Sequence, residues 1–174
     1  MTSSPPRARP PHVADERTQL MGWYDLQRAI VHYKCEGLGH DDLHRSVLPD
    51  SPLMTVAGIL SHLRWAERRW FEVVFAGGPA DPGAPQFVDD PEEAMIVDRA
   101  VPLDQLLAEY DRQCAASNEI IAAHALDDVG SHPDFDAARA TLRWVVLHML
   151  EETARHAGHL DTIRELLDGE KGYY

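Results

Sequence analysis

Apolar side chains recur every three or four residues in four stretches of this chain, and polar, glycine- and proline-rich segments divide them. That period belongs to helices that bury one face. The first stretch runs from about Ala14 to Cys35 with Leu20, Trp23, Tyr24, Ile30, Val31 and Tyr33 on the repeat, and Glu36-Gly37-Leu38-Gly39 ends it. A polar connector, His40 to Asp50, leads to Ser51-Pro52, which reads as an N-cap followed by proline at the first helical position. The second helix is expected from Pro52 to about Phe75, with Ile59, Leu60, Leu63, Trp70, Phe71 and Val74 on its stripe and Gly77-Gly78-Pro79 as its stop.

A long irregular connection follows to Ala100, with Phe87, Met95, Ile96 and Val97 as its apolar anchors. Connections of that length often shape a site. The third helix is expected after Pro102, on Leu103, Leu106, Leu107, Tyr110, Ile120 and Ile121, fading near Ala125. After the turn cluster Gly130 to Asp134, the fourth starts between Asp136 and Thr141. It runs to Leu167, with Leu142, Val145, Val146, Met149, Ile163 and Leu166 inward and Asp168-Gly169 as its end. No period-two alternation marks a strand, so the expected fold is an all-α four-helix bundle with a long connection between helices two and three. Residues 1–13 read as a flexible lead-in, 14–169 as one domain and 170–174 as a short tail.

Charge and composition narrow the function classes. The net charge of -13 would repel phosphate backbones, so nucleic acid is not an expected partner. No apolar run is long enough to span a bilayer, and no apolar segment after the Pro- and Arg-rich start makes a signal peptide, so no membrane partner is expected. Cys35 and Cys114 are far apart and read as small apolar side chains, consistent with a reducing cytoplasm. Apolar faces on such a bundle leave homodimerisation open.

Candidate chemistry concentrates in helix four. At about 100° per residue, His148, Glu152 and His156 descend one face in steps of about 40°, and His159 returns to within about 20° of Glu152. Val145, Met149 and Ile163 flank that stripe, which therefore points inward. Glu152 and His156, spaced i and i+4, suit a shared divalent ion. The competing reading is an i,i+4 ion pair on a solvated face. One helix cannot complete a coordination sphere, and His62, in Ser61-His62-Leu63 on helix two, is the candidate third ligand. Taken alone, His62 would read as a buried histidine satisfied by a hydrogen bond. No Glu-x-x-His pair, His-Glu-x-x-His motif, nucleophile elbow or phosphate loop is present, which leaves one metal with an open position.

At Ser61-His62-Leu63 and across Glu151-Glu152-Thr153-Ala154-Arg155-His156-Ala157-Gly158-His159 the sequence resembles the DinB-like superfamily, which includes bacillithiol and mycothiol S-transferases. The phrase on helix four is similar to an actinobacterial branch, and the resemblance extends from Thr18 to Gly169. It implies a four-helix bundle with one metal, often zinc or nickel, held by three side chains. Many members carry histidine where Glu152 stands here. Glutamate is the pattern of the mycothiol-dependent maleylpyruvate isomerase branch, which implies a His62-Glu152-His156 site.

Two imidazoles and a carboxylate leave a position for water or substrate, and a divalent ion there lowers the pKa of a coordinated thiol or water. The expected function is transfer of a low-molecular-weight thiol, with mycothiol suggested by the resemblance, to a small electrophile such as an epoxide, alkyl halide or unsaturated acid. Zinc is the expected metal, with nickel or another divalent ion as alternatives, and detoxification the expected role. A hydrolase using bound water and a non-catalytic metal-binding or dimer-forming bundle are the alternatives. His148 and His159 are expected behind the ligands or as proton relays, with His159 as a ligand the other possibility and Asp161 orienting one of them. Arg64 and Arg155 are candidates for drawing in an anionic substrate. Trp65 and Trp70 are expected in the core or a pocket wall.

Overall fold

Asp15 opens the first helix, α1 (Glu16–Cys35), by accepting a hydrogen bond from the Thr18 backbone N–H at 3.0 Å. The computed structural model describes residues 5–85, 92–132 and 139–172. A short helix, α2 (His40–Leu43), follows, and then α3 (Val56–Glu67), which continues without a break into π-helical turns over Arg68–Phe75. A 3₁₀ turn (Glu93–Met95) precedes α4 (Leu103–Ala123) and α5 (Leu142–Asp168). Among the described residues there is no strand, only an isolated bridge between Val129 and Thr141, and the chain is all-α. No helix among them is long and apolar enough to cross a membrane.

Cross-links between helices define the topology. Glu16 pairs with Arg143 and Lys34 with Asp161, so α1 and α5 run parallel. Arg64 pairs with Glu109 and Glu72 with Gln113, so α3 and α4 also run parallel. The order reverses between α3 and α5, where His62 meets Glu152 and Trp70 meets Trp144. The bundle is therefore up-down-down-up. Parallel neighbours need a crossover along their full length, and the long connection between α3 and α4 supplies it.

Two apolar clusters fill the interior. One gathers Leu26, Ile30, Leu60, Leu63, Leu106, Leu160 and Ile163; the other gathers Tyr24, Phe71, Phe75, Ile121, Val145, Val146 and Met149. Polar side chains border the clusters on α3 and α5, with His62, Glu152 and His156 on one side. On another, Glu67, fully buried, accepts from Arg28 Nε and Nη2 at 2.8 Å each and from Tyr24 Oη at 2.6 Å. Arg28 also donates to Asn118 Oδ1 at 2.8 Å, closing the network onto α4.

Several sequence expectations need correction. The second long helix does not start at Ser51-Pro52: those residues form a turn, and Thr55 is the N-cap, accepting from the Gly58 N–H at 3.0 Å. The reason lies at Gly58, where a Cβ would stand 2.2 Å from Leu53 O and 3.0 Å from Met95 O, so the preceding chain folds across the new helix. The connector after α1 is not wholly polar coil, since Leu43 anchors α2 in the core. Trp23, Leu166 and Ile96 are exposed, at 41%, 55% and 62%. Thr141, the late limit of the expected start, caps α5. Phe87, Pro133, Asp134 and Asp136 lie outside the described residues. From Pro5 onward the lead-in lies along α1, with the Arg7 guanidinium over the Tyr33 ring and Pro10 against Gly22.

Candidate metal centre

Each residue of the centre is placed by helical period. On α3, His62 follows Ile59 and adjoins Leu63, both fully buried, so its imidazole is carried to the edge of the core facing α5. On α5, Thr153 and Met149 are fully buried, and Glu152 sits beside them at the boundary with solvent. His156, one turn on, is 5% exposed. Across the interface His62 Nε2 lies 2.8 Å from Glu152 Oε1, and His156 Nε2 lies 3.3 Å from the same oxygen. The two imidazole rings are 4.7 Å apart between centroids.

The three residues form a group whose ligand atoms lie within 4.8 Å of one another. Zinc bonds of about 2.0–2.2 Å place donors on one ion roughly 3–4 Å apart, so small side-chain adjustments would bring these three to the spacing one divalent cation needs. Both histidines present Nε2 to the shared carboxylate. Hydrogen bonds from His156 and then His62 hold the Glu152 carboxyl well below the usual carboxylate range, so it is an anion at neutral pH. An anionic oxygen and two imidazole nitrogens are the hard-to-borderline donors that zinc and nickel accept.

The other expected site residues divide into those near the trio and those committed elsewhere. His159 is near: its Nδ1 lies 3.4 Å from His156 Nδ1, on the far side of that ring from Glu152. Burial, and then His156, push its pKa below the ordinary histidine value. His148, one turn before Glu152, stacks on Trp144 and packs edge-on against Trp70. Burial is the main cause that lowers its pKa too. Asp161 lies half a turn around α5 from Glu152 by the helical period. Its Oδ1 is 2.5 Å from the fully buried Lys34 Nζ on α1, so the structure does not bring it to either histidine it was expected to orient. Arg64 is engaged by Glu109 at 2.7 Å and lies over the Trp65 ring; Arg155 pairs with Glu151 on the exposed face.

Two features escaped the sequence reading. The π-helical turns after Glu67 leave no motif, since i→i+5 bonding is decided by packing. The Glu67–Arg28 pair did leave a trace: a carboxylate four residues after Leu63 on an otherwise apolar stripe, which demands a buried partner.

A family model described as mycothiol-S-transferase matches residues 19–169. No curated protein and no solved structure matches the chain. The match spans α3, α4, α5 and all but the first three residues of α1, with both halves of the histidine–glutamate trio. The chain therefore belongs to the mycothiol S-transferase family, within the DinB-like superfamily.

Proposed function

We propose that this protein transfers a low-molecular-weight thiol, mycothiol by family, to a small electrophile, using one divalent ion held by His62, Glu152 and His156. The observation that carries the reading is the convergence of two Nε2 atoms and one carboxylate oxygen at a partly water-accessible edge of the core. Zinc is the ion proposed first, with nickel the alternative. When bound, it would act as a Lewis acid that lets the thiol sulfur react as a thiolate near neutral pH.

The chain's own groups would perform the rest. Glu152 contributes the negative charge that offsets the cation, and His62 ties the site to α3 so that both helices fix its shape. The Nδ1–H of His156 would donate to His159 Nδ1, orienting the ring; such partners behind a ligand are the usual companions of metal-bound imidazole. His148, one turn toward the surface, would pass the thiol proton to solvent. In the transfer, the S–H proton departs, an S–C bond forms, and a halide leaves or an epoxide oxygen takes up a proton. Neither protein thiol suits the nucleophile's role: Cys35 is buried and donates to Val31 O, and burial pushes it up to about 12, while burial also raises Cys114. A free-thiol co-substrate and two free cysteines suit the reducing cytoplasm.

The test is thiol conjugation by the zinc- or nickel-loaded protein, with mycothiol against an epoxide and an alkyl halide panel, beside His62→Ala. Conjugation that requires mycothiol and vanishes with His62→Ala supports the reading. Conjugation unchanged in the variant, or turnover that needs no thiol, overturns it; the latter would favour hydrolysis.

A further inference from the structure

The ladder on α5 does not stop at the proposed ligands. Each four-residue step back along it drifts about 40° toward solvent, from His156 at 5% exposure through Glu152 and His148 to Trp144 at 46%. The His148 and Trp144 rings stack, with centroids 5.3 Å apart and planes 13° from parallel. From across the interface Trp70 closes on both, 4.4 Å from His148 and 5.4 Å from Trp144. Trp70 stands in the π-helical segment, whose wider turns rotate less per residue. A regular helix would carry Trp70 about 80° around from His62; the π turns bring it back toward the face that meets α5.

Three aromatic rings thus form a wall between α3 and α5, beginning one turn from Glu152 and ending at the surface. Core packing accounts for Trp70, which lies against a buried cluster, but not for Trp144, which keeps nearly half its surface in water. We propose that Trp70, His148 and Trp144 form the specificity subsite for the electrophile, which is a flat, electron-poor π system such as a nitroaryl halide or a conjugated carbonyl. This rests on the S-transferase reading above. Indole faces are electron-rich, so an electron-poor ring gains both burial and quadrupole attraction by stacking there. With an aryl halide, the S–C bond forms, the C–halide bond breaks with its electron pair leaving as halide, and the thiol proton goes to solvent. With a conjugated carbonyl, the S–C bond forms at the β carbon and the proton ends on the α carbon; neither route needs an oxidant or reductant.

The experiment uses the full metal-loaded chain and Trp144→Ala, whose unchanged metal content checks folding. Tryptophan fluorescence is titrated with 4-nitrotoluene, which stacks but does not react, and mycothiol transfer is compared between 1-chloro-2,4-dinitrobenzene and iodoacetamide. The expected results are saturable quenching in the parent that is lost in Trp144→Ala, and an aryl-to-alkyl ratio of kcat/KM lowered about tenfold or more. Collisional quenching that is the same in both proteins, or an unchanged ratio, overturns the subsite. Absence of transfer in the parent sinks the S-transferase reading instead, and the quenching titration then decides the aromatic subsite alone.

Discussion

His62 Nε2 on α3 lies 2.8 Å from Glu152 Oε1 on α5, a contact between positions 90 residues apart in the chain. It is the point where the two apolar clusters give way to polar groups, and the His156 ring stands beside it on the same carboxylate. A carboxylate shared by two imidazoles at a core edge is held together by hydrogen bonds when those rings are protonated on Nε2. A divalent ion bound there would replace those protons.

The ion should therefore contribute to stability. Zinc or nickel at about 100 times its dissociation constant would add about 2.7 kcal/mol. We expect a chelator to lower the melting temperature of the metal-loaded parent and to leave that of Glu152→Ala where it was. Elemental analysis should find close to one equivalent of metal in the parent and none in the variant. Equal metal content in the two proteins would remove Glu152 from the ligand set.

His159 should act through His156. Loss of the acceptor behind a ligating imidazole typically weakens metal affinity 10–100-fold, so His159→Ala should bind zinc more weakly by about that factor while retaining one equivalent at saturation. His159→Asn, which keeps an acceptor, should recover part of the loss. Complete loss of stoichiometric binding in His159→Ala would make His159 a ligand and sink the orienting role.

The Glu67–Arg28 pair should be structural and independent of the site. Both side chains are buried, and removing one partner strands the other charge, which costs about 3–5 kcal/mol. Urea denaturation of Arg28→Met should show a loss of that size, and the double variant with Glu67→Leu should recover much of it. A single-variant loss below about 1 kcal/mol, as for exposed pairs, would contradict the geometry.

Neither cysteine should react in the folded protein. Cys35 is 1% exposed with its thiol pushed up to about 12, and burial raises the Cys114 thiol as well. Iodoacetamide at neutral pH, followed by intact-mass measurement, should leave both unmodified in buffer and alkylate both in guanidinium. Rapid alkylation of Cys114 under native conditions would reopen the possibility that the chain supplies its own nucleophile.

Much of the architecture was legible because it is local. The 3.6-residue period located the four long helices to within a few residues of most ends, and Gly169, in the left-handed conformation at φ 79°, stops α5 where Asp168-Gly169 was expected to stop it. The start of α3 was misplaced because two capping sequences compete there. Ser51-Pro52 has the better local chemistry, but Thr55 prevails because Leu53 and Met95 pack onto Gly58, a contact from outside the segment. Trp23 and Leu166 were placed by helical period and Ile96 as an apolar anchor of the connection, and no neighbour covers them fully.

For the candidate site, the sequence alone determined that His148, Glu152, His156 and His159 share one face of one helix, since 3.6 residues per turn leaves no choice once the helix exists. It also singled out His62 as a polar group on an apolar stripe. Only the tertiary structure decided that α3 runs antiparallel to α5 with His62 level with Glu152, that Asp161 serves Lys34, and that Trp70 reaches His148. Those facts depend on helix register and on the π-helical turns, which are set by packing of the whole core and leave no periodic trace in the chain.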